Sequence, residues 1–324
     1  MKLKREYLVL VVIILGLSMY LVLHKRDASH YRLPELPRVM EEEITKIQIS
    51  KQDTAIVLNK KDNTWQIVPQ GYPADANQVK PMLDVIEKFT LTALVSESKN
   101  YDRYHLDNDN KIKIKAWTGD TLRREFEMGR AAATSRHTFV KLSDDHRVYH
   151  ARGNFRNRFD LTVEKLRDKT VLSFEQGEIQ EIHLSKGKQS MVFARKQVPV
   201  EVTPSQEEQA NSSQAPAEET MWQTADGKRG DRSQLDRMLT ALSKLRCEKY
   251  LDDRQKEDLV DPIYTIQLTG MGKYSLSVFE KTDEDAKNYP ATSSENDYPF
   301  LLPDWQVNNF MKNPEEFLAR TSHE

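Results

Sequence analysis

At 324 residues, with 38% hydrophobic and 30% charged side chains, the chain is long enough for about two globular domains. Only 11 glycines argue against a glycine-built nucleotide-binding protein, and the single cysteine, Cys247, excludes an intramolecular disulfide and reads as a small apolar packing residue on a helix. Net charge is −2, yet residues 201–324 carry −10 and residues 1–200 carry +8, which fits either two partner-facing surfaces or two unrelated solvated ones.

The chain opens on an uncharged run: Tyr7, Leu8, Val9, Leu10, Val11, Val12, Ile13, Ile14, Leu15, Gly16, Leu17, Ser18, Met19, Tyr20, Leu21, Val22 and Leu23. As a helix rising about 1.5 Å per residue it falls at the short end of what spans ~30 Å of hydrocarbon. Tyr7 and Tyr20 suit the interface, and His24, Lys25 and Arg26 can snorkel. The bulky, charged "HKRDASHYRLPELP" that follows does not read as a cleavage site, so an uncleaved anchor over 1–26 is expected. Lys2, Lys4 and Arg5 ahead of the run place the N-terminus in the cytoplasm and the body outside, in a periplasm if the source is Gram-negative. That compartment disfavours nucleic acid and nucleotide as partners. Residues 27–42, with Pro34 and Pro37, read as an extended stalk.

The body says one thing twice. "EITKIQISK" (Glu43–Lys51) returns as "EIQEIHLSK" (Glu178–Lys186). After the first copy, "TAIVLNKKDNTWQIV" predicts a hairpin turning at Lys61-Asp62-Asn63 and carrying Trp65. After the second, Trp222 arrives 22 residues late, and the excess falls at about 198–219, "VPVEVTPSQEEQANSSQAPAEE", a Pro/Ser/Gln/Glu-rich stretch expected to be a disordered insertion at the hairpin tip. The two tryptophans then occupy equivalent positions, where core packing is the expected role. The copies next share a helix. Asp75 with Gln78, and Asp231 with Gln234, have capping-box spacing. Val79, Met82, Leu83, Ile86 and Phe89 match Leu235, Met238, Leu239, Leu242 and Leu245 at helical spacing. Pro81 should bend the first helix or delay its start.

The remainder of each half predicts strands: Ile112–Ala116, Leu122–Met128, Thr138–Leu142 and Arg147–His150, then Ile263–Leu268, Tyr274–Phe279 and Tyr298–Leu302. Short closing helices are capped by Thr162 and Asn313. The expected fold class is α+β: two tandem homologous lobes, residues 43–177 and 178–324, each a mostly antiparallel sheet with one main packed helix, behind one transmembrane helix.

No catalytic constellation emerges, and none is assigned. His146 and His150 would stand about 13 Å apart on a strand at 3.3 Å per residue, too far for one ion at about 2 Å. "GMGKYS" at Gly270 lacks phosphate-loop spacing, and no G-x-S-x-G occurs. No metal and no cofactor are expected. Arg123–Lys169 holds 12 Lys and Arg against 7 Asp and Glu, and within it "ARGNFRNRF" interleaves arginine with phenylalanine. Arg152, Phe155, Arg156 and Arg158 are therefore the candidate partner surface, for anionic lipid, polysaccharide or an acidic protein. The alternative is a solvated loop whose phenylalanines reach the core.

"TWQIVPQGYPADANQVKPMLDVIEKF", "YDRYHLD" and "LRDKTVLSFEQGEIQEIHLS" resemble the bacterial family catalogued as domain of unknown function 4340, closely over about residues 44–195 and more loosely beyond. His105 stands where the family has a glycine, and the second copy reads "DLVDP" at Asp258–Pro262. The resemblance implies a membrane-anchored, envelope-facing protein, often accompanying an ABC-type transport system of the gliding-motility kind, and it carries no catalytic residue. The expected function is a non-catalytic, single-pass inner-membrane accessory or adaptor protein docking on an ABC transporter permease. The alternatives are an envelope glycan- or lipid-binding module, or a hydrolase with an inter-lobe cleft.

Overall fold

The computed structural model describes residues 5–24, 31–199, 218–283 and 285–319. The first element is helix α1, Arg5–His24. Its side chains are described from Val9 to Tyr20, and all twelve are exposed. That stretch covers about 18 Å of helix axis. Among the described residues no helix is long and apolar enough to cross a membrane.

The body divides into two compact units at Asp168 and Lys169. The first holds strands β1 (Lys46–Lys51), β2 (Thr54–Lys61), β3 (Thr64–Val68) and β4 (Tyr72–Pro73), then helix α2 (Ala76–Glu87) and β5 (Leu91–Ser96). β6 (Ile112–Thr118), β7 (Thr121–Ala131), β8 (His137–Leu142) and β9 (Val148–Arg152) follow, with the short helices α3 (Arg156–Phe159) and α4 (Val163–Leu166). The sheet order is β4-β3-β2-β1-β6-β7-β8-β9-β5, and every pairing is antiparallel. Alternation sends Ile47, Ile49, Ile112, Ile114 and Ala116 to one face, where Val79, Met82 and Ile86 of α2 join them in the core.

The second unit opens on β10 (Thr170–Ser173), β11 (Glu181–Lys186), β12 (Gln189–Pro199) and β13 (Glu218–Thr224). Helix α5 (Arg232–Leu242), β14 (Lys244–Arg246) and β15 (Lys249–Tyr250) come next. β16 (Tyr264–Thr269), β17 (Lys273–Val278), β18 (Asn288–Ser293), β19 (Phe300–Pro303) and helix α6 (Asp304–Val307) complete it. Its large sheet runs β13-β12-β11-β16-β17-β18-β19-β15. This is the first sheet's order again without the two-residue β4. Register repeats as well: Lys46↔Asn59 and Lys51↔Thr54 become Glu181↔Ala194 and Lys186↔Gln189, a constant offset of 135. Lys60↔Trp65 becomes Arg195↔Trp222, so the tryptophans are equivalent, and both lie in the cores.

The excess between them begins as paired strand. β12 and β13 stay in register out to Pro199↔Glu218, and the rest of the expected insertion, residues 200–217, lies outside the described residues.

The two main helices start as expected but are closed differently. Asp75 Oδ1 accepts from the Asn77 N–H at 2.9 Å, and Asp231 Oδ1 from the Gln234 N–H at 3.1 Å. A full capping box would send Gln78 and Gln234 to the caps' own N–H groups. Instead those N–H groups donate to carbonyls of the closing turns, Asp75 to Leu166 and Asp231 to Phe317, both at 2.7 Å. The closing turns are capped by Thr162 and by a capping box on Asn313. α2 begins at Ala76, so Pro81 does not delay its start.

Three further expectations change. Cys247 is buried, but it follows β14 rather than sitting on a helix. The described part of the expected stalk ends in a turn of 3-10 helix, Glu41–Glu43, and is packed: Val39 is fully buried, and Leu33 and Leu36 lie on the first core. The segment Lys169–Phe174, read as the end of the first lobe, belongs to the second unit, where β10 pairs with β14.

Candidate partner surface

The loop leaving β9 turns at Gly153, whose φ of +98° is a conformation side chains disfavour. Of the four residues singled out by the basic run, Arg152 ends β9 just before this turn, and the loop delivers the other three. Phe155 points inward, 3% exposed, with its ring edge-on to Phe89 at 6.2 Å and Phe126 at 6.4 Å. Phe159 is buried beside it. Arg156 is committed to the fold: it donates to the carbonyls of Asn110 at 2.6 Å, Gly129 at 3.0 Å and Met128 at 3.4 Å, and its Nε lies 3.7 Å from Asp160. Arg158 is exposed and donates to the Pro81 carbonyl at 3.3 Å. Arg152 is exposed. Arg152 and Arg158 flank a cavity of ≈310 Å³, together with Asp84 and Lys88 of the α2 end and the buried ring of Phe155 at its base. The strand end and the loop therefore bring two arginines to solvent over an aromatic floor and use the third as a backbone clamp.

The sheet faces opposite the main helices differ in chemistry. On the first, Lys113 and Lys115 reach Glu125 at 2.7 and 3.3 Å, while Lys111 and Lys141 reach Glu127 at 3.1 and 3.0 Å. These are cross-strand pairs of β6, β7 and β8. On the second, the equivalent rungs carry His183, Ser185, Thr265, Gln267, Ser275 and Ser277. His183 Nε2 lies 2.7 Å from Ser190 Oγ and 3.4 Å from Ser185 Oγ. That contact has the residue types of a hydrolase dyad. It sits on an open sheet face, and no carboxylate orients the imidazole among the described residues.

Two other groupings were invisible in the sequence. His137 stacks on His150 with centroids 5.2 Å apart, because β8 and β9 pair with Phe139 opposite His150. Burial, and then His137, hold His150 below the ordinary imidazole value. Glu41, Asp84 and Glu87 bring carboxylate oxygens within 4.8 Å of one another, as a cation site would require. The Lys80 ammonium sits 2.7 Å from Glu41 and 3.6 Å from Asp84, and Lys88 is 3.1 Å from Asp84, so two of the three carboxylates are already paired with lysine. The hydrogen bond from Lys88, more than any other contact, holds Asp84 below the usual carboxylate range.

No curated protein and no solved structure matches this chain. A family profile does, over residues 65–262, which begins at Trp65 in the first unit and ends at Pro262 in the second, so the match spans the boundary between them. It covers more than half of the sequence, and the chain belongs to the family described as a domain of unknown function, DUF4340.

Proposed function

We propose that this is a non-catalytic accessory protein of the cell envelope, held in the membrane by its N-terminal helix and docking through its first unit on a membrane protein, with an ABC transporter permease as the partner class. The observation that carries the reading is α1. From Val9 to Tyr20 its side chains are apolar all round apart from Gly16 and Ser18, and none is covered by protein. A helix of that composition needs an apolar surrounding, and a bilayer supplies one if the helix uses the full run Tyr7–Leu23. The permease as partner rests on the family resemblance. The absence of an assigned reaction rests on chemistry: the Ser–His contact lies on an open sheet face, and two carboxylates of the acidic trio, Glu41 and Asp84, are paired with lysines.

Docking is assigned to Arg152 and Arg158, the two arginines of this stretch that the fold leaves in solvent. A tether would raise the effective concentration of this surface near its partner. The test is a pull-down of the full-length protein in a mild detergent. Co-purification of a permease and an ATPase, reduced in an Arg152→Ala/Arg158→Ala double variant, supports the reading. A clean monomer overturns the adaptor role.

A further inference from the structure

The segment from Tyr31 to Val39 makes one hydrogen bond to the rest of the first unit among the described residues: Arg124 Nη2 donates to the Pro37 carbonyl at 3.0 Å. Its counterpart 135 residues on is the β10 segment, which is paired with β14. The Ser293 hydroxyl also donates to the Val171 carbonyl there. Pro34 and Pro37 have no N–H to offer such a ribbon. The first unit thus holds this segment by side-chain contacts where the second uses strand pairing.

Arg124 is the departure at that seat. The rung Ile47–Ala116–Arg124 corresponds to Ile182–Leu268–Tyr274. Tyr274 fills its place by packing on Phe174, ring centroids 5.3 Å apart. Arg124 is 5% exposed, and its Nε and Nη1 have no hydrogen-bond partner among the described residues. Beyond Pro37 its one other charge-related contact among the described residues is the Phe89 ring at 5.7 Å. A buried guanidinium without a counter-ion is costly, because its desolvation is not offset. Burial accordingly lowers its pKa.

A cavity of ≈440 Å³ adjoins this side chain, with Pro34, Pro37, Leu122 and Leu142 as apolar walls and Arg123 as a further cation. Of the acids there, Asp145 is engaged by Arg147 and Tyr149, and Glu125 by Lys113 and Lys115. Asp144 is exposed.

We propose that this groove binds an oxyanion head group, phosphate or carboxylate, on an apolar chain. The oxyanion takes the guanidinium fork of Arg124 in place of the Pro37 carbonyl, and the apolar part lies along Leu122 and Leu142. An arginine fork matches two oxyanion oxygens better than it matches one carbonyl. The site is independent of the docking role assigned above.

The test follows the thermal midpoint of the full-length protein in a non-ionic detergent, since a ligand of the native state raises it. The probes are dihexanoyl phosphatidic acid, dihexanoyl phosphatidylcholine and inorganic phosphate. The expected result is a saturable rise with phosphatidic acid, none with phosphatidylcholine, and an apparent Kd at least tenfold weaker in Arg124→Met. A rise with phosphatidic acid but not with phosphate identifies a lipid as the source. Equal rises with both show that the apolar walls recognise nothing and overturn the apolar-chain part of the proposal, even where Arg124→Met abolishes them. Should Arg124→Met fail to fold, Leu122→Glu, at a residue 42% exposed, places a carboxylate in the groove and should weaken binding about as much. No rise with either anion, or a rise undiminished in these variants, overturns the proposal.

Discussion

Phe155→Ala separates the two roles open to the arginine-phenylalanine loop. If Phe155 is core, truncation removes a ring that is 3% exposed and meets Phe89 and Phe126 edge-on, while those two stack on each other at 4.1 Å. Core Phe→Ala changes cost about 3–5 kcal/mol, of which each aromatic pair accounts for roughly 0.5–1.5 kcal/mol. The cavity beside Phe155 gives the site room to relax, which favours the lower half of the range. A loss of about 3 kcal/mol at a urea slope of roughly 2 kcal/mol/M lowers the midpoint by roughly 1.5 M. The assay is urea unfolding of the full chain, with amide exchange in β7 reporting on the first unit. Arg158→Ala is the control: its side chain is exposed, so stability should stay within about 0.5 kcal/mol while partner capture falls. A Phe155→Ala protein that loses less than about 1 kcal/mol yet no longer captures a partner would refute this placement and make Phe155 a contact residue.

Three more outcomes follow from local geometry. A Cβ built on Gly129 would lie 1.9 Å from the Tyr104 carbonyl oxygen, and one on Gly270 2.1 Å from that of Glu178, so each Gly→Ala change should cost at least about 1–3 kcal/mol in chemical denaturation, and a neutral result would contradict these backbone approaches. His150 favours its neutral form in the fold, so the unfolded chain binds the extra proton first: stability from this group is complete above the ordinary value of 6.5 and is lost as pH falls through the lower folded value. His150→Gln should flatten that part of the pH-stability curve, and an NMR titration placing His150 at or above 6.5 would remove the cause. Alkaline phosphatase fused after Glu324 should be active in a Gram-negative host if the anchor has the expected orientation; an inactive fusion reverses it.

Much of the scaffold was legible because its determinants are local. Alternation marked β1, β6 and β11, a cap residue marked each main helix, and the repeat tied the two readings together. What escaped is non-local or breaks a local rule. "NYPATS" (Asn288–Ser293) holds a proline and reads as loop, yet Pro290 sits in β18 opposite Leu301. "LTALVS" (Leu91–Ser96) does not alternate, and its pairing with β9 carries two register shifts, so β5 has no sequence signature. The helix caps were visible, but the partner of each cap's N–H lies some 90 residues away in a closing turn. The two prolines of the segment suggested an extended stalk. Leu36 and Val39 nonetheless find a core, because a segment that lacks N–H donors at Pro34 and Pro37 can still bury apolar side chains.

The candidate surface shows the same limit at the scale of one side chain. Counting arginines cannot tell Arg156, spent on three backbone carbonyls, from Arg152 and Arg158, which face solvent. Nor can it single out Arg124, which stands in a β-strand beside Arg123 and reads as one more surface cation. The second unit makes the distinction, as an internal control. The two units share strand order, register and cap wiring, so those features are what either fold requires. A position where they differ without cost to the shared wiring answers to something else. Pro37 against Leu172 and Arg124 against Tyr274 are such positions, adjacent in one seat, and both changes run against stability there: one removes a ribbon donor, the other buries an unpaired charge. Two neighbouring departures of that sign are better explained by a ligand that repays them than by drift in a scaffold whose strand order and register are held constant.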